Sequence, residues 1–188
     1  MGEIGEAFRL ALGMLASGDA DLFEIVGLSL QVSATALLVA AVIGLPLGAV
    51  LGGTRFVGRR AAVVLLNALL GLPPVVVGLL VYLVISRSGP LGSLGLLFTP
   101  TAMVIAQVVL VTPIVAAVAR QTIDDLYGEY DEQLRSLGVG PLRTVLTLLY
   151  EARFRLLTAL LAGLGRAVSE VGAVMIVGGN IAHLTRVC

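Results

Sequence analysis

SATALLVAAVIGLPLGAVL, residues 33–51, carries no charged side chain. As a helix rising about 1.5 Å per residue, it matches the ~30 Å hydrocarbon core of a bilayer. A helix is also the form lipid demands of such a run, because backbone N–H and C=O groups find no water there and must bond within the segment. The rest of the chain agrees. Of its 188 residues, 58% are hydrophobic and 13% are charged, against about 25% charged in an ordinary soluble domain. The expected class is all-α and integral to a membrane.

Working outward, the first span extends over about 23–51, with Pro46 between Gly44 and Gly48. Small residues let neighbouring backbones approach, and proline bends a membrane helix. A second span covers about 61–85 and contains LLGLPPVVVGLL, where Pro73 and Pro74 remove two backbone donors in mid-membrane. Such a break is tolerated where protein buries it or water reaches it. The Gly/Pro-rich stretch 86–100 reads as a connector. A third span, about 101–119, is interrupted at Pro113, and a fourth runs over about 156–177. Upstream, Ile4, Phe8, Ala11, Leu12 and Leu15 share a face over residues 4–16. That segment is too short to span, so it reads either as an interfacial helix or as an extension of the first span.

Orientation follows from arginine. Arg55, Arg59, Arg60, Arg120, Arg135, Arg143, Arg153 and Arg155 fall in loops 54–60 and 120–155, whereas Arg9, Arg87 and Arg186 fall on the other side. Positive loops stay cytoplasmic, which puts the N-terminus outside. Net charge is zero, giving no reason to expect nucleic acid. One His (His183) and one Cys (Cys188) cannot alone build a metal centre. There is no GxxxxGK[ST] phosphate loop, and no residue is assigned a catalytic role or a cofactor.

The cytoplasmic segment includes DEQLRSLGVGPLRTV, residues 131–145. Tyr130, Leu134 and Leu137 share one helical face. Gly138 and Gly140 permit a sharp turn, and Pro141 suits the first turn of a second helix presenting Leu142, Val145, Leu146 and Leu149. This apolar ridge, over about 130–150, either packs on the ends of the chain's own helices or docks on a soluble partner.

Glu132, Gln133 and Leu134, followed by Gly138, match the spacing of the Glu-Ala-Ala loop of ABC importer permeases, which the segment resembles. Only Glu and Gly of the motif are kept, and the Leu-Pro that usually closes it is replaced at Leu148, Leu149, Tyr150 and Glu151. LGLPPVVVGLLVYLVISRSGPLGSLGLLFTP and YEARFRLLTALLAGLGRAVSEVGAVMIVGGNI look like the tungstate branch of that family. The resemblance implies a type I ABC importer permease-like bundle in the cell membrane. It also implies two permease copies side by side, cytoplasmic ABC ATPase subunits and an extracytoplasmic substrate-binding protein. In this family the loop forms a coupling helix seated in the ATPase, which would make Glu132, Leu134, Gly138, Leu142 and Val145 the coupling residues. Relatives carry a further helix beyond the GGNI region, so that helix is expected and is missing here. Permeases for molybdate, sulfate or another solute share this architecture. A scaffold or passive channel without an ATPase is the reading from another class, and it has little use for an apolar cytoplasmic ridge.

Arg166 and Glu170 lie four residues apart in the fourth span, on one helical face. A charge at the bilayer centre costs about 2.5–3.5 kcal/mol on insertion scales, which argues for pairing or a wet setting. The pair either fixes helix packing or places Arg166 on an oxyanion's path with Glu170 limiting how tightly it binds. Asn67, Gln107, Thr112, Ser169 and Asn180 are uncharged polar groups in or near spans, suited to bonding between helices or to facing a pathway.

Overall fold

A computed structural model describes residues 20–181 and 184–187. The interfacial helix expected over 4–16, and His183 and Cys188, lie outside the described residues. Seven α-helices follow in order among them: α1 (Ala20–Gly53), α2 (Arg59–Leu70), α3 (Pro74–Ile85), α4 (Pro100–Ser136), α5 (Pro141–Glu151), α6 (Arg153–Val168) and α7 (Gly172–Gly178). A single 3-10 turn, Gly92–Leu94, lies between α3 and α4, and no strand occurs among the described residues.

Helices α1 and α4 are each long and apolar enough to cross a membrane, and they form the spine of the bundle. Their contact is built on a glycine stripe. Gly44 faces Thr112 and Val115, Gly48 faces Ala116 and Ala119, and Gly52 faces Arg120 and Ile123. Residue numbers climb together on both helices, so the pair runs parallel. Both helices keep their proline inside, Pro46 in α1 and Pro113 in α4, without ending there.

The other two expected spans are broken. Helices α2 and α3 meet at 101° across Gly71, Leu72 and Pro73, and α6 and α7 meet at 57°. At about 18 Å each, α2 and α3 are individually too short to cross, so the chain reaches four crossings when each bent pair counts as one. The first break has a local cause. Pro74 begins α3 at a position where its missing N–H is harmless, and it forces Pro73 into extended backbone, φ −61° and ψ 133°.

Small side chains crowd the interior, while many large apolar ones face outward. Ala36, Ala40, Ala49, Ala102, Ala106, Ala116 and Ala119 are fully buried, while Leu38, Val42, Leu65, Leu79 and Leu161 stand exposed. Lipid solvates large apolar groups as well as a core does. Packing gain therefore comes from small residues that bring backbones together.

One boundary differs from the sequence expectation. The third span does not end at Ala119, because α4 continues without a break through Arg120 to Ser136. Leu126 and Ile123, with Tyr127, Tyr130 and Leu134 beside them, keep packing below the spine against α5 and Leu156, so the apolar face that holds the helix persists beyond the apolar run.

Candidate functional site: a polar cleft and an exposed ridge

Two places carry polar or exposed chemistry that the packing does not absorb. The first is the break between α6 and α7. Arg166 closes the last turn of α6, and its Nη2 lies 3.0 Å from Glu170 Oε2. The other carboxylate oxygen of Glu170 accepts the backbone N–H of Ala173 at 2.9 Å, satisfying an orphan donor in the first turn of α7. One buried carboxylate therefore ties both sides of the 57° bend. Ser169 is exposed, and its hydroxyl donates to the Arg166 carbonyl.

Beside this break lies a cleft of about 170 Å³, bounded by Ser29, Leu30 and Ser33 of α1, Gln107 of α4, and Ala167, Glu170 and Val174. Gln107 Nε2 donates to the Ala167 carbonyl at 3.1 Å, and its Oε1 is buried without a partner. The remaining polar candidates are elsewhere. Thr112 donates to Val108 O within its own helix, and Asn67 and Asn180 are exposed.

The second place is the turn after α4. Gly138 takes φ +64°. Leu137 N–H bonds to Gln133 O and Val139 N–H to Leu134 O, the six-to-one closure of a Schellman motif with glycine at its left-handed position. Gly140 and Pro141 then open α5. The expected ridge divides in two. Val145 and Leu148 are buried against Ala49, Ile123 and Leu156, with Leu134 partly buried beside them. Leu142, Leu146 and Tyr150 are exposed at i, i+4 and i+8, and Leu137 is 77% exposed beside them. Glu132 is also exposed.

Sequence reasoning missed a charged knot at this end of the bundle. Asp124 of α4 receives Arg59 at 2.8 Å, Arg55 at 3.6 Å and Arg120 at 3.7 Å. Arg59 Nε also donates to the carbonyl of Leu51 at 2.6 Å. The loop after α1 is thereby clamped to α4. The available signal was Asp124 standing one helical turn after Arg120. Ser33 was missed as well, although it opens the run quoted first.

A profile of the binding-protein-dependent transport system inner membrane component family matches residues 44–186. The chain is 41% identical to a tungstate uptake system permease protein of Peptoclostridium acidaminophilum, over 98% of this chain and 81% of that protein. It is 41% identical to a probable anion ABC transporter permease protein of Haloferax volcanii, over 89% of this chain and 74% of the relative. A tungstate uptake system permease protein of Campylobacter jejuni is 38% identical, over 97% and 77%. With four possible crossings, small-residue packing and this breadth of match, the chain belongs to the binding-protein-dependent transport system inner membrane components, as a multi-pass ABC transporter permease.

Proposed function

We propose that this chain is the permease subunit of an ATP-driven importer of tungstate. Two of the relatives named above are tungstate uptake permeases at 38–41% identity over nearly the whole chain, and that likeness carries the substrate reading. ATP hydrolysis resides on separate cytoplasmic subunits, a substrate-binding protein delivers the oxyanion to the outer face, and two permease copies stand side by side. The N-terminus is outside, so the Asp124 end and the turn at Gly138 face the cytoplasm, in keeping with the arginine count.

The coupling segment spans about 130–150. Exposed Leu137, Leu142, Leu146 and Tyr150 form an apolar edge beyond the membrane-spanning part, suited to an apolar groove read at i, i+4 spacing. Within the segment, Glu132 and Leu142 touch the ATPase, Gly138 shapes the bend, and Leu134 and Val145 anchor it to the bundle. Arg166 and Glu170 hold the α6–α7 break together, since each already satisfies the other.

The test is Leu142→Asp combined with Leu146→Asp in the complete transporter. Membrane insertion and melting stay near wild type, while ATPase co-purification and uptake of radiolabelled tungstate fall at least tenfold. Unchanged co-purification refutes the coupling assignment. Molybdate or sulfate competing as well as unlabelled tungstate refutes the substrate.

A further inference from the structure

The cleft beside the α6–α7 break presents more acceptors than donors to whatever fills it. Two polar residues more than nine-tenths buried line it with an unused group: Ser33, 4% exposed, and Gln107, 3% exposed. The hydroxyl of Ser33 has no hydrogen-bond partner among the described residues. The orientation of Gln107 is fixed by its own bond. Nε2 donates to the Ala167 carbonyl, so the group left without a partner is the acceptor Oε1. Glu170 adds a carboxylate whose oxygens each accept one bond and retain a second lone pair. Arg166, which balances Glu170, is not part of the lining. The remaining lining is mainly apolar: Val26, Leu30, Val168 and Val174 among others.

Three occupants compete for this space. An acyl chain leaves the carbonyl of Gln107 and the hydroxyl of Ser33 bare in a dry setting, where unmade hydrogen bonds are most costly. An oxyanion meets the bare Gln107 Oε1 and the Glu170 carboxylate, against the single O–H that Ser33 can donate to it. Water donates twice and accepts twice, and a cleft of about 170 Å³ holds about five or six molecules at their liquid share of about 30 Å³. We propose that the Ser33–Gln107–Glu170 cleft is a hydrated site that takes small hydrogen-bond donors, water above all, and rejects anions. Its consequence for transport rests on the oxyanion reading above: the cargo passes elsewhere in the assembly, and the cleft is a wet seam joining α1, α4 and the α6–α7 break.

Thiol labelling in lipid nanodiscs tests this, using the complete chain with Cys188→Ser as background. Ser33→Cys is probed with the cationic 2-aminoethyl and the anionic 2-sulfonatoethyl methanethiosulfonates, each rate divided by that reagent's rate on a free thiol. The ratio removes any change in thiolate fraction. Val42→Cys, on the same helix, 76% exposed and within its uncharged run, is the dry control. Ser33→Cys should react, with the cationic reagent favoured severalfold, because the Glu170 carboxylate lines the cleft while its counter-ion Arg166 does not. Adding Glu170→Gln should erase that preference while leaving the site reactive. Ser29→Cys, one turn away on the same cleft wall, repeats the measurement should Ser33→Cys insert poorly. Labelling as slow as at Val42→Cys overturns hydration, and equal rates for the two reagents overturn anion rejection. Neither readout depends on uptake, so a chain that fails to import tungstate leaves this inference standing or falling by itself.

Discussion

Glu170 shows what one buried side chain does at a helix break. Its carboxylate serves as counter-ion to Arg166 and as acceptor for Ala173 N–H, so the bend between α6 and α7 has an electrostatic and a hydrogen-bonded fastening. Replacement separates them. Glu170→Gln keeps an acceptor for Ala173 and loses the ion pair. Glu170→Ala loses both and leaves Arg166 unpaired. Breaking a buried pair typically costs about 3–5 kcal/mol, and the partial exposure of Arg166, 33% at its side chain, discounts this. An order of 2 kcal/mol is expected for Glu170→Ala, with Glu170→Gln distinctly milder. Thermal unfolding in detergent ranks the two: Glu170→Gln melting as wild type would show that the pair contributes nothing, and equal melting of the two variants would show that the cap contributes nothing. The i, i+4 pairing was legible in the sequence. The cap was not, since Ser169–Glu170 lies in a run that reads as one continuous apolar span and carries neither proline nor a Gly pair at the break.

At the scale of elements, the deciding contact is α1 on α4. A methyl group added at Gly48 would lie 2.5 Å from the Ala116 carbonyl oxygen and 2.7 Å from Ala119 Cβ. Backbone cannot yield as a side-chain tip does, so the helices must separate. Gly48→Ala should therefore destabilise by about 1–3 kcal/mol, as overpacking does in other cores. Gly27→Ala, at a helical glycine with open space around it, should be neutral or slightly stabilising. Melting curves of the two variants side by side check the assignment. The spacing Gly44–Gly48–Gly52 announces a close approach in the sequence, but nothing local names its partner. Likewise Pro73–Pro74 announces a break, whereas the 101° turn depends on where α3 finds α7: Gly78 packs directly on the backbone of Ala173.

For the whole molecule, composition and the long uncharged runs together gave the class: 13% charged residues is about half the share of a soluble domain. What they could not give was the division of the ridge. Leu142 and Val145 are three residues apart and both read as one apolar face, yet Leu142 is 73% exposed and Val145 7%. The difference arises from the way α5 docks: Val145 seats in the cluster of Ala49, Ile123 and Leu148, close to Gly53 at the end of α1, while Leu142 points away from it. Val145→Asp should therefore prevent a stable bundle, with an aggregated elution profile. Leu142→Asp should elute as wild type, and only its association with a partner should suffer. At Gly138 the expected damage is smaller: Gly138→Ala meets no atom within 4 Å but must hold φ +64°, which costs about 1–2 kcal/mol. Hydrogen exchange at Val139, whose N–H closes the turn, should quicken accordingly.

The uninterrupted course of α4 from Pro100 to Ser136 makes it a lever. At about 1.5 Å per residue it is roughly 55 Å long, so a tilt of about 5° carries one tip about 5 Å relative to the other. The glycine-lined seam obliges α1 to swing with it. On the coupling proposed above, a push at the Gly138 turn would reach the other end of α4 as displacement, with no loop between to absorb the stroke.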